Sequence, residues 1–391
     1  MDPTQLSGRW NYPTAIRFGA GMLHELPEAC SELGMQRPLL VTDPALASLP
    51  PVQQALQVNE EAGLATGLFR DVQPNPRGVD VTRGVEALKA GSHDGVIAMG
   101  GGSALDVGKA IALMAGQERP LWDFEDREDW WTRADEGAMV PCVAVPTTSG
   151  TGSEVGRCSV IVNEQEQRKV IIFHPRMMPA RVVADPAVTV GLPAALTAGV
   201  GMDALAHNLE AFCAPGFHPL ADGIALEGMR LVHQSLREAV MDGSNLEARA
   251  HMMIAATMGA TAFQKGLGAI HALSHPVGVA LHAHHGTTNG VVMPYVLVFN
   301  RSAIKERMDH LARFLGLPGS GFDAVLRWVL ELREAIQIPH TLQALGMTEN
   351  QCDELAPSAA TDPTAPTNPV PLNTKNLEGL YRKSLTGDLS G

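Results

Sequence analysis

The sequence predicts an α/β domain over residues 1–190 followed by an all-helical domain over 191–391. Three observations carry this reading. In the first half, short apolar runs alternate with segments of helical periodicity. After about residue 190, β-branched runs become rare and residues rich in Ala, Leu, Met, Glu and His recur at helical spacing. A glycine-rich turn joins a strand-like run to a helix-like run at 96–113.

In order along the chain, 38–43 (PLLVTD), 65–72 (ATGLFRDV), 95–101 (GVIAMGG) and 142–148 (CVAVPTT) read as strands bounded by turn residues. Segments 79–90 and 104–115 between them read as helices. Strand–helix–strand order with nearly continuous apolar strands predicts a parallel sheet covered on both faces. Further strands are expected at 157–162, 169–173 and 181–184, with an antiparallel addition among them. Helices are expected at 194–213, 219–240, 245–264, 267–282, 302–315 and 320–336. The stretch 357–373 (PSAATDPTAPTNPVPLN) is too rich in Pro, Thr and Asn for regular structure. It reads as an ordered loop leading to a last helix at 377–385.

Composition narrows the function. A net charge of −13 argues against nucleic acid as a partner, while local backbone amides still allow a small anionic ligand. No apolar run reaches the roughly 18–20 residues that span a bilayer, so no membrane association is expected. The opening MDPTQLSGRW has neither a basic stretch nor an apolar core, so no secretion signal is expected. Five cysteines, scattered and without a C-x-x-C pair, fit a reduced, cytoplasmic protein. Any metal site must then rest on histidine and carboxylate.

The run VIAMGGGSALDVGKAIAL (96–113) places glycines where a backbone can approach a ligand, ahead of a helix whose free N–H groups favour a phosphate. By itself it is also a plain strand–helix turn. Asp43 ends the first expected strand, where a carboxylate accepts hydrogen bonds from ribose hydroxyls and repels a 2′-phosphate. Its simpler role is a cap or turn residue before Pro44. The hydroxyl-rich loop PTTSGTGSE (146–154) follows another strand. In a parallel sheet such loops converge at one crevice, so the three together favour a dinucleotide site.

Five of the histidines fall in 270–286, IHALSHPVGVALHAHHG. His271 and His275 have i, i+4 spacing on a helix, as do Asp203 and His207 in an apolar, buried-looking helix. A carboxylate and imidazole on a buried stripe are costly unless paired or bound to a metal. One carboxylate and three imidazoles suit Fe²⁺ or Zn²⁺ better than oxygen-only ions. The residues alone do not choose the remaining ligand among His282, His284 and His285, although a loop after the helix would let His285 swing inward.

PTTSGTGSEV (146–155), GMDALAHNLEAF (201–212), GLGAIHALSHPVG (266–278) and HHGTTNGVVMPYVLVFN (284–300) together resemble the iron-containing (group III) alcohol dehydrogenases. That family includes lactaldehyde reductases, propanediol dehydrogenases and butanol dehydrogenases. The resemblance spans nearly the whole chain, from about residue 12 to the final helix. It implies a dehydroquinate-synthase-like architecture, with a Rossmann-like dinucleotide domain, a helical metal-binding domain and the active site between them. It assigns the metal to Asp203, His207, His271 and His285, with Fe²⁺ favoured and Zn²⁺ the alternative, and gives His275 a substrate-facing, proton-handling role.

For the cofactor, the resemblance places Asp43 at the adenine ribose and Gly101, Gly102 and Ser103 at the pyrophosphate. Asn75, Thr147 and Thr148, with Thr151 and Lys169, match further dinucleotide positions, and Cys158 and Phe263 match substrate-pocket positions. The acid at Asp43 favours NAD(H) over NADP(H). The chain departs from the family pattern at Val370, where Asn-Pro is commonly followed by Arg, and at Thr364, where a cysteine is often seen. The implied reaction is hydride transfer between C4 of the nicotinamide and a small alcohol or aldehyde whose oxygen binds the metal, in a homodimer or larger homo-oligomer. Rivals on the same fold are maleylacetate reductases, hydroxyacid–oxoacid transhydrogenases and sugar-phosphate cyclases. The cyclases more usually carry a Glu-His-His metal set and several basic substrate contacts. A metal-dependent hydrolase or a non-enzymatic metal-binding protein leaves the glycine loop unexplained.

Overall fold

The computed structural model describes residues 12–166 and 168–390. The opening segment read above for a secretion signal lies outside the described residues, apart from which Gln167 and Gly391 are also not described. Contacts divide the chain into two compact units. One comprises Tyr12–Thr148 with Gly152–Val190; the other comprises Ser149–Thr151 and the chain from Gly191 onward.

In the first unit the strands, in chain order, are β1 (Ala15–Phe18), β2 (Pro38–Val41), β3 (Gly67–Phe69), β4 (Gly95–Gly100), β5 (Cys142–Pro146), β6 (Cys158–Asn163), β7 (Arg168–Phe173) and β8 (Arg181–Ala184). Six of them form one parallel sheet in the order β1-β8-β5-β4-β2-β3. Its helices are α1 (Leu26–Ser31), α2 (Pro50–Glu61), α3 (Gly78–Ala90) and α4 (Gly102–Met114). Alternation along β4 shows why the strands read as unbroken apolar runs. Ile97 and Met99 join a core with Leu26 and Ala29 of α1 and Val52 and Ala55 of α2. Ala98, on the opposite face, meets α4 at Gly108, where a Cβ would sit 2.4 Å from the Ala98 Cβ. Both faces of the sheet are therefore covered, as parallel sheets require.

The second unit is helical: α5 (Ala194–Cys213), α6 (Pro219–Met241), α7 (Leu246–Ala262), α8 (Ala269–Leu281), α9 (His285–Leu315), α10 (Gly321–Ala335), α11 (Asn350–Ala360) and α12 (Thr374–Thr386). α5 is buried on every side from Gly201 to Cys213, the condition in which an all-round apolar helix is stable. Its core partners include Met229, Met252, Ile270, Val292 and Tyr381. Among the described residues no helix is long and apolar enough to cross a membrane.

The differences from expectation lie in β1, the start of α9 and the end of α11. β1 was not anticipated: four residues with exposed ends carry too little pattern. The expected antiparallel addition is present as a separate β6–β7 ribbon, and β8 joins the main sheet in parallel. The helix expected at 302–315 begins at His285, so His285 is a first-turn residue and not part of a loop. The intervening VVMPYVLV is β-branched and carries Pro294, which argues against helix on propensity, but its burial against α5 outweighs that preference. Finally, 357–360 continues α11, with Pro357 inside the helix, and a short 3-10 turn covers Ala365–Thr367.

Candidate functional site

α5 presents Asp203 and His207 one turn apart, α8 brings in His271, and α9 opens with His285. Asp203 Oδ1 lies 3.8 Å from His207 Nε2, 3.7 Å from His271 Nε2 and 3.4 Å from His285 Nε2. Ligands held about 2.0–2.2 Å from one ion sit about 3.4 Å apart in a tetrahedron, so the spacing fits a single transition-metal ion. Asp203, His207 and His271 are all buried, whereas the His285 side chain is 26% exposed.

Each ring is oriented from behind. The His207 Nδ1 is 3.3 Å from the carbonyl of Gly150, which only accepts, so this nitrogen donates and Nε2 is left facing Asp203. The His271 Nδ1 lies 2.6 Å from Glu210 Oε2, and its ring stacks on that of His207 with centroids 4.6 Å apart. His285 reaches the group because α9 starts directly against α5. A Cβ on Gly286 would lie 2.1 Å from the Gly199 carbonyl oxygen, so only glycine allows the approach. His284, one residue earlier, caps α9 by accepting the Thr287 N–H at 3.3 Å, and His282 ends the preceding turn in the left-handed region at φ 51°. The buried group of Asp203, His207 and His271 that could hold a metal includes neither of them.

Two residues here escaped sequence reading. Glu210 follows Asp203 at i+7 on the same helix face, a spacing that carries a signal only once the other two are recognised. Asn289, at i+4 from His285, donates through Nδ2 to Asp203 Oδ1 at 2.8 Å and lies 3.2 Å from His285 Nε2. His275, one turn beyond His271, has its Nδ1 2.8 Å from Asp362 Oδ2 and stacks on the His285 ring with centroids 5.2 Å apart. The Phe263 ring lies 5.1 Å from that of His207.

The electrostatics at Asp203 and His207 favour an ionised carboxylate beside a neutral ring. Burial works against charge on Asp203, but the neighbouring His207, His285 and His271 hold it well below the usual carboxylate range. Burial pushes His207 down to about 4, favouring the neutral ring that a metal requires. Burial also opposes charge on His271, yet hydrogen bonds to Asp203 and Glu210 raise it to about 9.

In the first unit, Asp43, Asn75, Gly101–Ser103 and Thr147–Thr148 lie after strand ends, whereas Lys169 and Cys158 lie within strands. β3, β2, β4 and β5 are neighbours in one parallel sheet, so Asn75, Asp43, Gly101–Ser103 and Thr147–Thr148 all follow carboxyl ends on the same edge. Gly100 has φ 150° and accepts the Thr147 N–H at 3.0 Å, and Gly101 precedes α4 without offering a side-chain cap. Asp43 Oδ1 caps the turn after β2, accepting from Ala45 N at 3.0 Å and Leu46 N at 2.9 Å. Asn75 takes a positive φ of 51°, which asparagine tolerates. Lys169 pairs with Val162 in the β6–β7 ribbon. Cys158 opens β6, and burial pushes its thiol up to about 11, so it is not a reactive thiolate. Thr151 belongs to the second unit, with Ser149 and Gly150. Sequence reading also missed the buried Lys109, whose ammonium donates to the carbonyls of Ser153 and Cys158 and pairs with Asp106.

Comparison with known proteins gives the family. Residues 13–186 match the family model "Iron-containing alcohol dehydrogenase". Residues 197–385 match "Fe-containing alcohol dehydrogenase family, C-terminal". The 4-hydroxybutyrate dehydrogenase of Cupriavidus necator is 38% identical over 383 residues, covering 96% of this chain and 99% of that protein. The crystal structure of a 1,3-propanediol oxidoreductase superposes with a TM-score of 0.92 at 33% identity, covering 97% of this chain and 100% of the other. Sulfoacetaldehyde reductase from Bifidobacterium kashiwanohense, solved with NAD+, has a TM-score of 0.88 at 29% identity, with coverage of 98% and 100%. Matches of this extent, in both halves of the chain, make the protein an oxidoreductase of the iron-containing alcohol dehydrogenase family.

Proposed function

We propose that the protein is an NAD(H)-linked, metal-dependent alcohol dehydrogenase and aldehyde reductase acting on small primary alcohols and the corresponding aldehydes. The observation that carries this is the convergence of Asp203 Oδ1 with three imidazole nitrogens at 3.4–3.8 Å in a pocket backed by hydrogen bonds. These residues would hold Fe²⁺, with Zn²⁺ as the alternative. When bound, such an ion supplies Lewis-acid polarisation of the substrate oxygen. His275 donates from Nδ1 to Asp362, which leaves Nε2 to take up or return the hydroxyl proton. Phe263 forms an apolar wall beside His207.

On the dinucleotide side, the start of α4 offers the backbone amides of Gly101, Gly102 and Ser103 to a pyrophosphate. Asp43 has one oxygen engaged in its turn, leaving Oδ2 for the adenine ribose hydroxyls, which supports NAD(H) over NADP(H). Asn75, Thr147 and Thr148, with Thr151 and Lys169, complete the assignment. The relatives named above act on short hydroxyl or aldehyde compounds, which supports a small substrate of that class. Five free cysteines fit a reducing, cytoplasmic setting, and the resemblance adds a homodimer or larger assembly.

The test is reconstitution of anaerobically prepared apoprotein with Fe²⁺ or Zn²⁺, followed by NADH consumption with a panel of short aldehydes. Metal-dependent turnover is expected. Stoichiometric metal binding without NADH oxidation on any aldehyde would refute the dehydrogenase reading.

A further inference from the structure

α8 carries His271, yet its N-terminus has no cap of its own. The residue before the helix is Gly268, which has no side chain to offer its first-turn N–H groups. These donors are instead served by residues remote in sequence. Ala269 N–H donates to Asn368 Oδ1 at 3.1 Å, and Ile270 N–H donates to Glu210 Oε1 at 2.7 Å. A Cβ on Gly268 would lie 2.7 Å from Asn368 Oδ1 and 3.1 Å from Glu210 Oε1, so the glycine makes room for both caps.

Glu210 has a second contact that Asn368 lacks. Its other oxygen, Oε2, accepts from His271 Nδ1 at 2.6 Å. One buried carboxylate thus spans the backbone of residue 270 and the ring of residue 271, and it sits on the helix that also supplies Asp203 and His207. With a proton held on Nδ1, the His271 lone pair lies on Nε2, the nitrogen that faces Asp203.

We propose that Glu210 is a positioning residue for the metal centre, fixing both the start of α8 and the ring tautomer of His271 and so setting the affinity for a divalent ion. The inference rests on the metal-centre reading above. Replacing Glu210 by glutamine keeps size but leaves one acceptor oxygen for two donors. If that oxygen keeps Ile270, the amide NH₂ faces Nδ1 and favours the proton on Nε2, the wrong nitrogen. A backing partner of a ligating histidine is worth about 10–100-fold in metal affinity.

The experiment is zinc titration of wild type, E210Q and N368A against a chromophoric chelator, with thermal melts of the three apoproteins. E210Q should bind zinc about 10–100-fold more weakly while its apo melt stays near wild type. N368A, which removes the Ala269 cap together with the Asn300 and Val370 bonds but leaves the His271 ring contact intact, should lower the apo melt with a smaller loss of zinc affinity. Equal zinc affinity in E210Q and wild type overturns the proposal, as does an equal loss in N368A, because anchoring of α8 without any contact to the ring would then explain it. If E210Q does not fold, ¹⁵N spectra of zinc-loaded wild type decide: a proton on His271 Nδ1 supports the assignment and a proton on Nε2 overturns it. Failure of wild type itself to bind stoichiometric zinc would instead refute the metal centre.

Discussion

Replacing Gly286 by alanine should damage the fold and the metal centre together. The added Cβ would lie 2.1 Å from the Gly199 carbonyl oxygen, 2.8 Å from its carbon and 2.9 Å from the Asp203 Cβ. These are backbone and stem atoms of the buried α5, so no rotamer change relieves the clash. The helices must part by about 1.3 Å to reach the 3.4 Å at which ordinary contact begins. Overpacking of this kind costs about 1–3 kcal/mol, roughly 2–10 °C of melting temperature. His285 is the adjacent residue and moves with α9, whereas metal–ligand distances tolerate only about 0.2 Å. A hundredfold loss of zinc affinity would remove about 2.7 kcal/mol of zinc-induced stabilisation at saturating metal. Thermal melts of apo and zinc-loaded protein read both effects. Gly223→Ala is the control, because a Cβ in that turn of α6 meets nothing within 4 Å; it should be neutral or raise stability by about 0.5–1 kcal/mol. If G286A melts like wild type and keeps the full zinc shift, the close approach of α9 to α5 does not position His285.

Asp43→Ser preserves an oxygen for the Ala45 and Leu46 N–H groups while removing the charge, so kcat/KM with NADPH should rise relative to NADH; an unchanged ratio would sink the ribose assignment. His275→Ala should lower turnover by roughly 10²-fold or more. Asp362→Asn should reproduce part of that loss, and zinc stoichiometry should stay intact in both; wild-type turnover in H275A would end the relay role. His174 is buried, its Nδ1 accepts the Arg176 N–H at 3.0 Å, and burial lowers its pKa below 6.5. The folded pKa is depressed, so the stability it gives is full above about 6.5 and is lost as pH falls through the lower folded value. Denaturant midpoints of H174N should fall less steeply below that pH than those of wild type, and parallel curves would contradict the assignment.

What was readable in the sequence and what was not follows from where each signal resides. Asp203 and His207 stood out because two polar residues at i, i+4 interrupt an otherwise apolar helix, a local pattern. The fourth position was not readable from residues alone, since His282, His284 and His285 are nearly contiguous. Their separation depends on where α9 starts, and α9 is helical against its own β-branched propensity because α5 buries it. Glu210 and Asn289 were unreadable for a related reason. A buried polar side chain declares its role through its partner, and these partners lie 61 and 86 residues away. In the first unit, the strand-end loops were readable because parallel topology places them on one edge, but Asp43 does its capping job there as well.

The two departures from the family pattern, Thr364 and Val370, bear on the same scaffold. The Thr364 hydroxyl lies 2.6 Å from Asp362 Oδ1 and its N–H donates to that oxygen at 2.9 Å, so the residue orients the carboxylate that holds His275. A cysteine at this place would keep the backbone bond but give a longer, weaker side-chain contact, since sulfur is a poor donor. At 370 the side chain is not what the scaffold uses: the carbonyl accepts from Asn368 Nδ2 at 2.7 Å, and Asn368 in turn caps α8 and exchanges amide bonds with Asn300 of α9. Any residue at 370 supplies that carbonyl. The start of α8 and the body of α9 are thus tied together through main-chain and amide contacts that do not use the side chain at 370.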